Sequence, residues 1–248
     1  MPGKLRVEYP GAIYHLMNRG DQREDIFRDE EDYRRFLKAL AEACGKTDWQ
    51  IHAFCLMKNH FHLVAETPEA NLVFGMKWLL GTYTKRFNIR HKLCGHLFAG
   101  RYKAIIVEGS GDGYLRTVCD YVHLNPVRAG IIEATVPLES FTWSSYAQYL
   151  KSAGQRPVWL RVDRLLGEHG IAQDTEAGRR EFAIRMECRR GEEAGTDHRQ
   201  LRKDWCLGSE EFRRELLASA VERTGPNHYG SERQESSEEK AKRIIGEE

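Results

Sequence analysis

No Cys-x-x-Cys pair occurs in this chain, although it has six cysteines: Cys44, Cys55, Cys94, Cys119, Cys188 and Cys206. A zinc knuckle is therefore not expected, and dispersed thiols point to a reducing compartment. Also missing is any apolar run near the ~20 residues that a membrane span needs. The opening Met1-Pro2-Gly3-Lys4-Leu5-Arg6 lacks the apolar segment of a secretory leader. These absences predict a cytoplasmic protein with no membrane partner. One sign of charge is missing locally. From Ala70 to Val107 there is no Asp or Glu, although the 248 residues together carry a net charge of only +1. That window holds Lys77, Lys85, Arg86, Arg90, Lys92, Arg101 and Lys103. Such a stretch can follow phosphates, and its Phe74, Trp78, Tyr83, Phe87, Phe98 and Tyr102 can stack on unpaired bases where they are exposed. No convincing strand follows Thr175, and no internal repeat is visible.

What is present is enough apolar residue, 41%, for a real core. Ala12 to Met17 alternates and reads as a strand. Asp29 can cap a helix through Tyr33, Phe36, Leu37 and Leu40 that Gly45 ends. Gln50–Met57 and His60–Glu66 read as strands joined by a Lys58-Asn59 turn. A second helix spans about Asn71 to Asn88, a fourth strand Tyr102 to Glu108, and a third helix Tyr114 to Leu124, stopping at Asn125-Pro126. The order βαββαβα predicts an α+β, ferredoxin-like sandwich, an antiparallel sheet with helices on one face. This domain is expected over residues 1–150. A helical extension follows over 151–225, with a short helix in Pro157–Leu166 and a helix capped by Ser209 and closed by Gly225-Pro226. A charged tail over 226–248 is expected to be loosely ordered, apart from a helical patch at Glu238–Ile245 that looks cut short.

The chemistry concentrates in His60-Phe61-His62 and in Tyr121-Val122-His123-Leu124-Asn125-Pro126. In a strand, His60 and His62 leave one face side by side while Phe61 enters the core on the other. Tyr121 and Asn125, four apart on a helix, share a face. Facing the histidines, Asn125 would complete a two-imidazole, one-oxygen site suited to Mg²⁺ or Mn²⁺, with His123 as a fallback ligand. Tyr121 would be the nucleophile. A tyrosine hydroxyl ordinarily titrates near 10, so charge stabilisation by a metal would assist it.

His60-Phe61-His62, Gly100-Arg101-Tyr102-Lys103 and Tyr121 to Gly130 resemble the HUH single-tyrosine transposases, most closely the REP-associated tyrosine transposases. Tyr14-His15-Leu16-Met17-Asn18-Arg19-Gly20 and Trp143-Ser144-Ser145-Tyr146 fit the same pattern, so the resemblance covers roughly the first 150 residues. It implies His60 and His62 as the metal pair, Asn125 as the third ligand and Tyr121 as the nucleophile. It also implies single-stranded, hairpin-forming DNA as partner and a 5′-phosphotyrosine intermediate. Two other functions fit parts of the pattern. One is a structured single-strand binding protein without catalysis, and the other is a metal-dependent phosphodiesterase that uses water and leaves Tyr121 dispensable. The chain can be monomer or homodimer, since the Gly109–Gly113 break would permit exchange of the tyrosine helix between subunits.

Overall fold

The computed structural model describes residues 7–133, 135–193, 201 and 204–223. The expected closure at Gly225-Pro226 and the tail at 226–248 lie outside them. Helix α1 (Glu30–Thr47) begins where the Asp29 carboxylate accepts from the Asp32 backbone N–H, with Glu30, Glu31 and Asp32 in the first turn, the end of the helix that favours negative charge. It runs past Gly45 to a left-handed Asp48, because a glycine within a helix weakens it by only about 1 kcal/mol. Helix α2 (Leu72–His91) buries Leu72, Met76, Leu79, Tyr83 and Phe87. At Gly75 an added Cβ would lie 2.1 Å from the Trp49 ring, so glycine lets α2 settle against that indole.

Strands β1 (Ala12–Arg19), β2 (Gln50–Met57), β3 (His60–Thr67) and β4 (Lys103–Val107) form a sheet in the order β2-β3-β1-β4. These four pair antiparallel, with Met57 opposite His60 across the hairpin and Met17 opposite both His62 and Lys103. The α+β class and the element order agree with the sequence reading, and two details differ. A fifth strand, β5 (Cys206–Leu207), pairs parallel to β4 and makes the sheet mixed. Two residues are too few to show any alternation in sequence. The helices also cover both faces rather than one. Phe61 packs on Phe36 of α1, with ring centroids 5.1 Å apart, whereas His62 faces Tyr121 of α3 (Tyr114–His123) across the sheet, 5.8 Å away. Strand alternation requires this, since adjacent residues of β3 point to opposite sides.

Helix α3 packs on β2, β3 and β4 of its own chain. It stops at Leu124, and Asn125 opens a separate short helix, α4 (Asn125–Arg128), with Pro126 in its first turn, where the missing N–H costs no hydrogen bond. Later residues are tied to this core. Leu160 bridges to Ile51 of β2, and Arg164 reaches Glu66 at 2.8 Å and the Gly109 carbonyl at 2.7 Å. Beyond α5 (Tyr146–Tyr149) and α6 (Asp163–Glu168) comes α7 (Glu176–Glu192), whose Phe182 stacks on Tyr149 at 5.1 Å. The final described helix, α8 (Glu210–Arg223), starts as read, with the Phe212 N–H donating to Ser209 Oγ. Among the described residues, no helix is long and apolar enough to cross a membrane.

Candidate active site

The α3 face of the sheet opens into a cleft of about 560 Å³ that His60, His62, Tyr121 and Asn125 all line. Four residues chosen from two stretches of sequence thus meet at one place. The β1–β3 register explains half of the meeting: Arg19 lies opposite His60 and Met17 opposite His62, so β1 and β3 form the floor. The other half is the helix break. Although Leu124 interrupts the helix after Tyr121, the bend keeps Asn125 on the cleft side.

Both histidines are held by their inner nitrogens. His60 Nδ1 donates to Asn59 Oδ1 at 2.7 Å, and His62 Nδ1 lies 2.9 Å from Nε2 of His15. This leaves each Nε2 for a ligand, the usual arrangement of a metal-binding imidazole with an outer partner. Burial, with Arg19 nearby, lowers the pKa of His60 to about 4. Burial, together with His15, His60 and Arg128, holds His62 well below its ordinary value. Both rings are therefore neutral at pH 7, as ligation requires. The Asn125 amide nitrogen is buried without a hydrogen-bond partner among the described residues, so nothing there ties that end of the amide. Among the described residues no group of three His, Cys, Asp or Glu side chains is disposed to hold a metal, and Asn125, in the same cleft, is the candidate for a third protein ligand. The donor set fits a hard or borderline divalent ion.

Of the basic residues singled out, Arg101 and Lys103 line this cleft. The other five are on α2 or at its C-cap, the helix that packs with α1 behind the opposite face. There Arg86 pairs with Glu42 at 2.8 Å, and Arg90 pairs with Asp29 and the buried Asp32, each at 2.7 Å. Lys77, Lys85 and Lys92 are exposed on α2 and its cap. The fallback ligand His123 is excluded from the site: it is fully buried away from it, 2.8 Å from Ser145 Oγ and edge-on to Tyr149.

Three residues were not identified from sequence. His15 is fully buried, stacks on His62 at 5.1 Å, and is held near pKa 3 chiefly by burial. Its place in Tyr14-His15-Leu16 was a signal, because a polar residue inside an apolar strand needs a partner. Arg128 sits over the Tyr121 ring, its guanidinium carbon 3.9 Å from the centroid. Glu193, just after α7, pairs with Arg128 and lines the cleft. Nothing local in sequence connects a position after α7 to Tyr121.

Comparison with known proteins agrees with the motif resemblance. The solved structure of a REP-associated tyrosine transposase bound to a REP hairpin aligns at a TM-score of 0.50 and 17% identity, covering 66% of this chain and 93% of that one. At that identity it shows the shared fold. A crystal structure from Deinococcus radiodurans R1 aligns at a TM-score of 0.35 and 19% identity, over 48% of this chain and 95% of the other. No curated protein sequence matches the chain. Residues 8–125 match the family described as IS200-like transposases, a span that includes β1 to β4, both histidines, Tyr121 and Asn125. By that match residues 8–125, just under half of the chain, are similar to the IS200-like transposases.

Proposed function

We propose that this protein is a REP-associated tyrosine transposase that nicks and rejoins single-stranded DNA beside hairpins through Tyr121. The observation that carries the reading is the convergence of Tyr121, His60, His62 and Asn125 on one cleft with Arg101 and Lys103 at its wall. The hairpin bound to the structural relative supports the choice of DNA. Arg101 and Lys103 bind and orient the phosphate backbone. The Tyr121 hydroxyl loses its proton, and its oxygen attacks the phosphorus. A Tyr121 O–P bond forms, the P–O3′ bond breaks, and the 3′-oxygen leaves as a hydroxyl after taking up a proton. Strand transfer is the reverse step with another 3′-hydroxyl. Mg²⁺ or Mn²⁺ held by His60, His62 and Asn125 would polarise a non-bridging oxygen and offset developing charge.

The test is a denaturing gel of wild type and Tyr121→Phe with Mn²⁺ and labelled hairpin oligonucleotides taken from beside the protein's own gene. A covalent adduct in wild type alone is expected. Clear hairpin binding on a native gel without any adduct would replace this reading with a non-catalytic single-strand binding protein. Cleaved strands with no adduct, unaffected by Tyr121→Phe, would point to a water-using phosphodiesterase.

A further inference from the structure

Helix α3 carries Tyr121 and is held by polar contacts from two sides. On the sheet side, His123 lies 2.8 Å from Ser145 Oγ, which also accepts from the Phe54 N–H of β2. On the other side the contacts come from beyond the matched residues 8–125. Asp120, the residue before Tyr121, is buried, and His169 Nε2 donates to its Oδ1 at 2.9 Å. His169 is buried as well and fixed by its own neighbours. It ends α6, where its N–H reaches the Leu165 and Leu166 carbonyls, and Arg185 of α7 donates to its carbonyl. Its ring meets Phe182 of α7 edge-on at 5.1 Å, and Arg189 of α7 stands 3.9 Å from the second oxygen of Asp120. Helices α6 and α7 thus converge on one carboxylate of the tyrosine helix.

We propose that this joint aims the nucleophile: the Asp120–His169 pair sets the height and rotation of α3, and through them the position of the Tyr121 oxygen. This rests on Tyr121 being the nucleophile, and it makes residues beyond 150 part of the reaction. Neighbours on a helix are about 1.5 Å apart along the axis and about 100° apart around it, so Tyr121 moves with Asp120. Helix α3 also buries Leu115, Val118 and Val122 and packs on β2, β3 and β4. Apolar burial is non-directional and does not by itself fix a rotation. A hydrogen bond to a carboxylate is directional, and parting this pair would leave a buried charge without compensation. In-line attack on phosphorus needs that precision, since a misplacement of about 1 Å can cost about 100-fold in rate. Asp120 and His169 line a separate cavity of about 490 Å³ and not the cleft, so they act through α3 and are positioning residues.

The test is single-turnover adduct formation with Mn²⁺ on labelled hairpin DNA. The full chain is used at saturating concentration, so that only folded, DNA-bound molecules count. Hairpin affinity and melting temperature are measured alongside. His169→Gln sets an amide N–H near the place of Nε2, whereas the shorter His169→Asn stops short of Asp120. His169→Gln should keep close to the wild-type rate, and His169→Asn should be about 10- to 100-fold slower with hairpin affinity near wild type. The double variant Asp120→Ala with His169→Ala leaves no orphaned carboxylate inside and guards against a folding defect in His169→Asn. It should bind the hairpin and remain as slow as His169→Asn. A wild-type rate in His169→Asn, or in a double variant that binds the hairpin normally, would overturn the proposal, because the joint would then serve stability alone. Equal rates in His169→Gln and His169→Asn would overturn it too. An adduct that wild type forms and Tyr121→Phe does not keeps the nucleophile reading intact in each of those cases. Wild type without any adduct would overturn both.

Discussion

Phe61 and His62 are neighbours in β3 with opposite surroundings. Phe61 is fully buried in a ring cluster with Phe36 and Phe98 behind α1 and α2. His62 lies in the cleft under α3, 5.8 Å from Tyr121 and 2.9 Å from His15. The basic residues divide in the same way. Arg86 and Arg90 on α2 are engaged by carboxylates of α1 and its N-cap, while Arg101 and Lys103 line the cleft. One face of the sheet is packed core and the other holds the candidate site, and charge alone does not tell which face a residue serves.

Four measurements would break or sharpen that contrast. The largest effect is expected at Phe61. Phe61→Ala removes a close-packed ring and should cost about 3–5 kcal/mol of stability, read by urea unfolding. A loss below ~1 kcal/mol would mean the α1/α2 face is not the main core. At the adjacent position, His62→Ala should lower adduct formation by about 100-fold or more while leaving most hairpin affinity intact. A variant that still forms adduct at the wild-type rate would remove His62 from the site. Third, Arg101→Ala together with Lys103→Ala should weaken hairpin binding and reduce the salt slope by about 0.7 for each phosphate that the variant no longer neutralises. Arg90→Ala should instead lower the melting temperature, since it strips a partner from buried Asp32. Equal effects on DNA affinity from both faces would erase the contrast.

The smallest and most gradual effect is with pH. His15 and His123 are held near pKa 3, and His60 near 4, mainly by burial. Unfolded histidines take up protons near 6.5. Between about pH 6.5 and 4 the unfolded chain therefore binds more protons than the folded one, so stability falls on acidification across that window. Melting temperatures measured from pH 7.5 to 4 should decline, and less steeply in His60→Gln. A flat profile would mean these imidazoles are solvated.

The elements legible from sequence were those fixed by local pattern. The β2–β3 hairpin, the Asp29 cap, the Ser209 cap and the opposite faces of His60-Phe61-His62 follow from spacing within a few residues. Tyr121 and Asn125 were placed on one side by helical periodicity, and the structure keeps them there although Leu124 interrupts the helix. The illegible parts depend on distance in sequence. The partnership of His15 with His62 needs the β1–β3 register, and that of Arg128 with Glu193 needs the docking of α7. Arg90 looked like a phosphate ligand because its acidic partners, Asp29 and Asp32, are supplied by another helix and its cap.

The Lys58-Asn59 turn carries a consequence for how this protein can change over time. Met57 and His60 face each other across two residues, and the turn is pinned by Ile26 and Phe27 N–H groups on the Lys58 carbonyl and by the Gly20 N–H on that of Asn59. Because a strand's faces alternate, one residue added to or lost from this turn would swing Phe61 into the cleft and both imidazoles into the core. The length of the turn is thus under the same constraint as the histidines. Lineages of this domain should tolerate substitutions at 58 and 59 far more readily than any single-residue insertion or deletion between them.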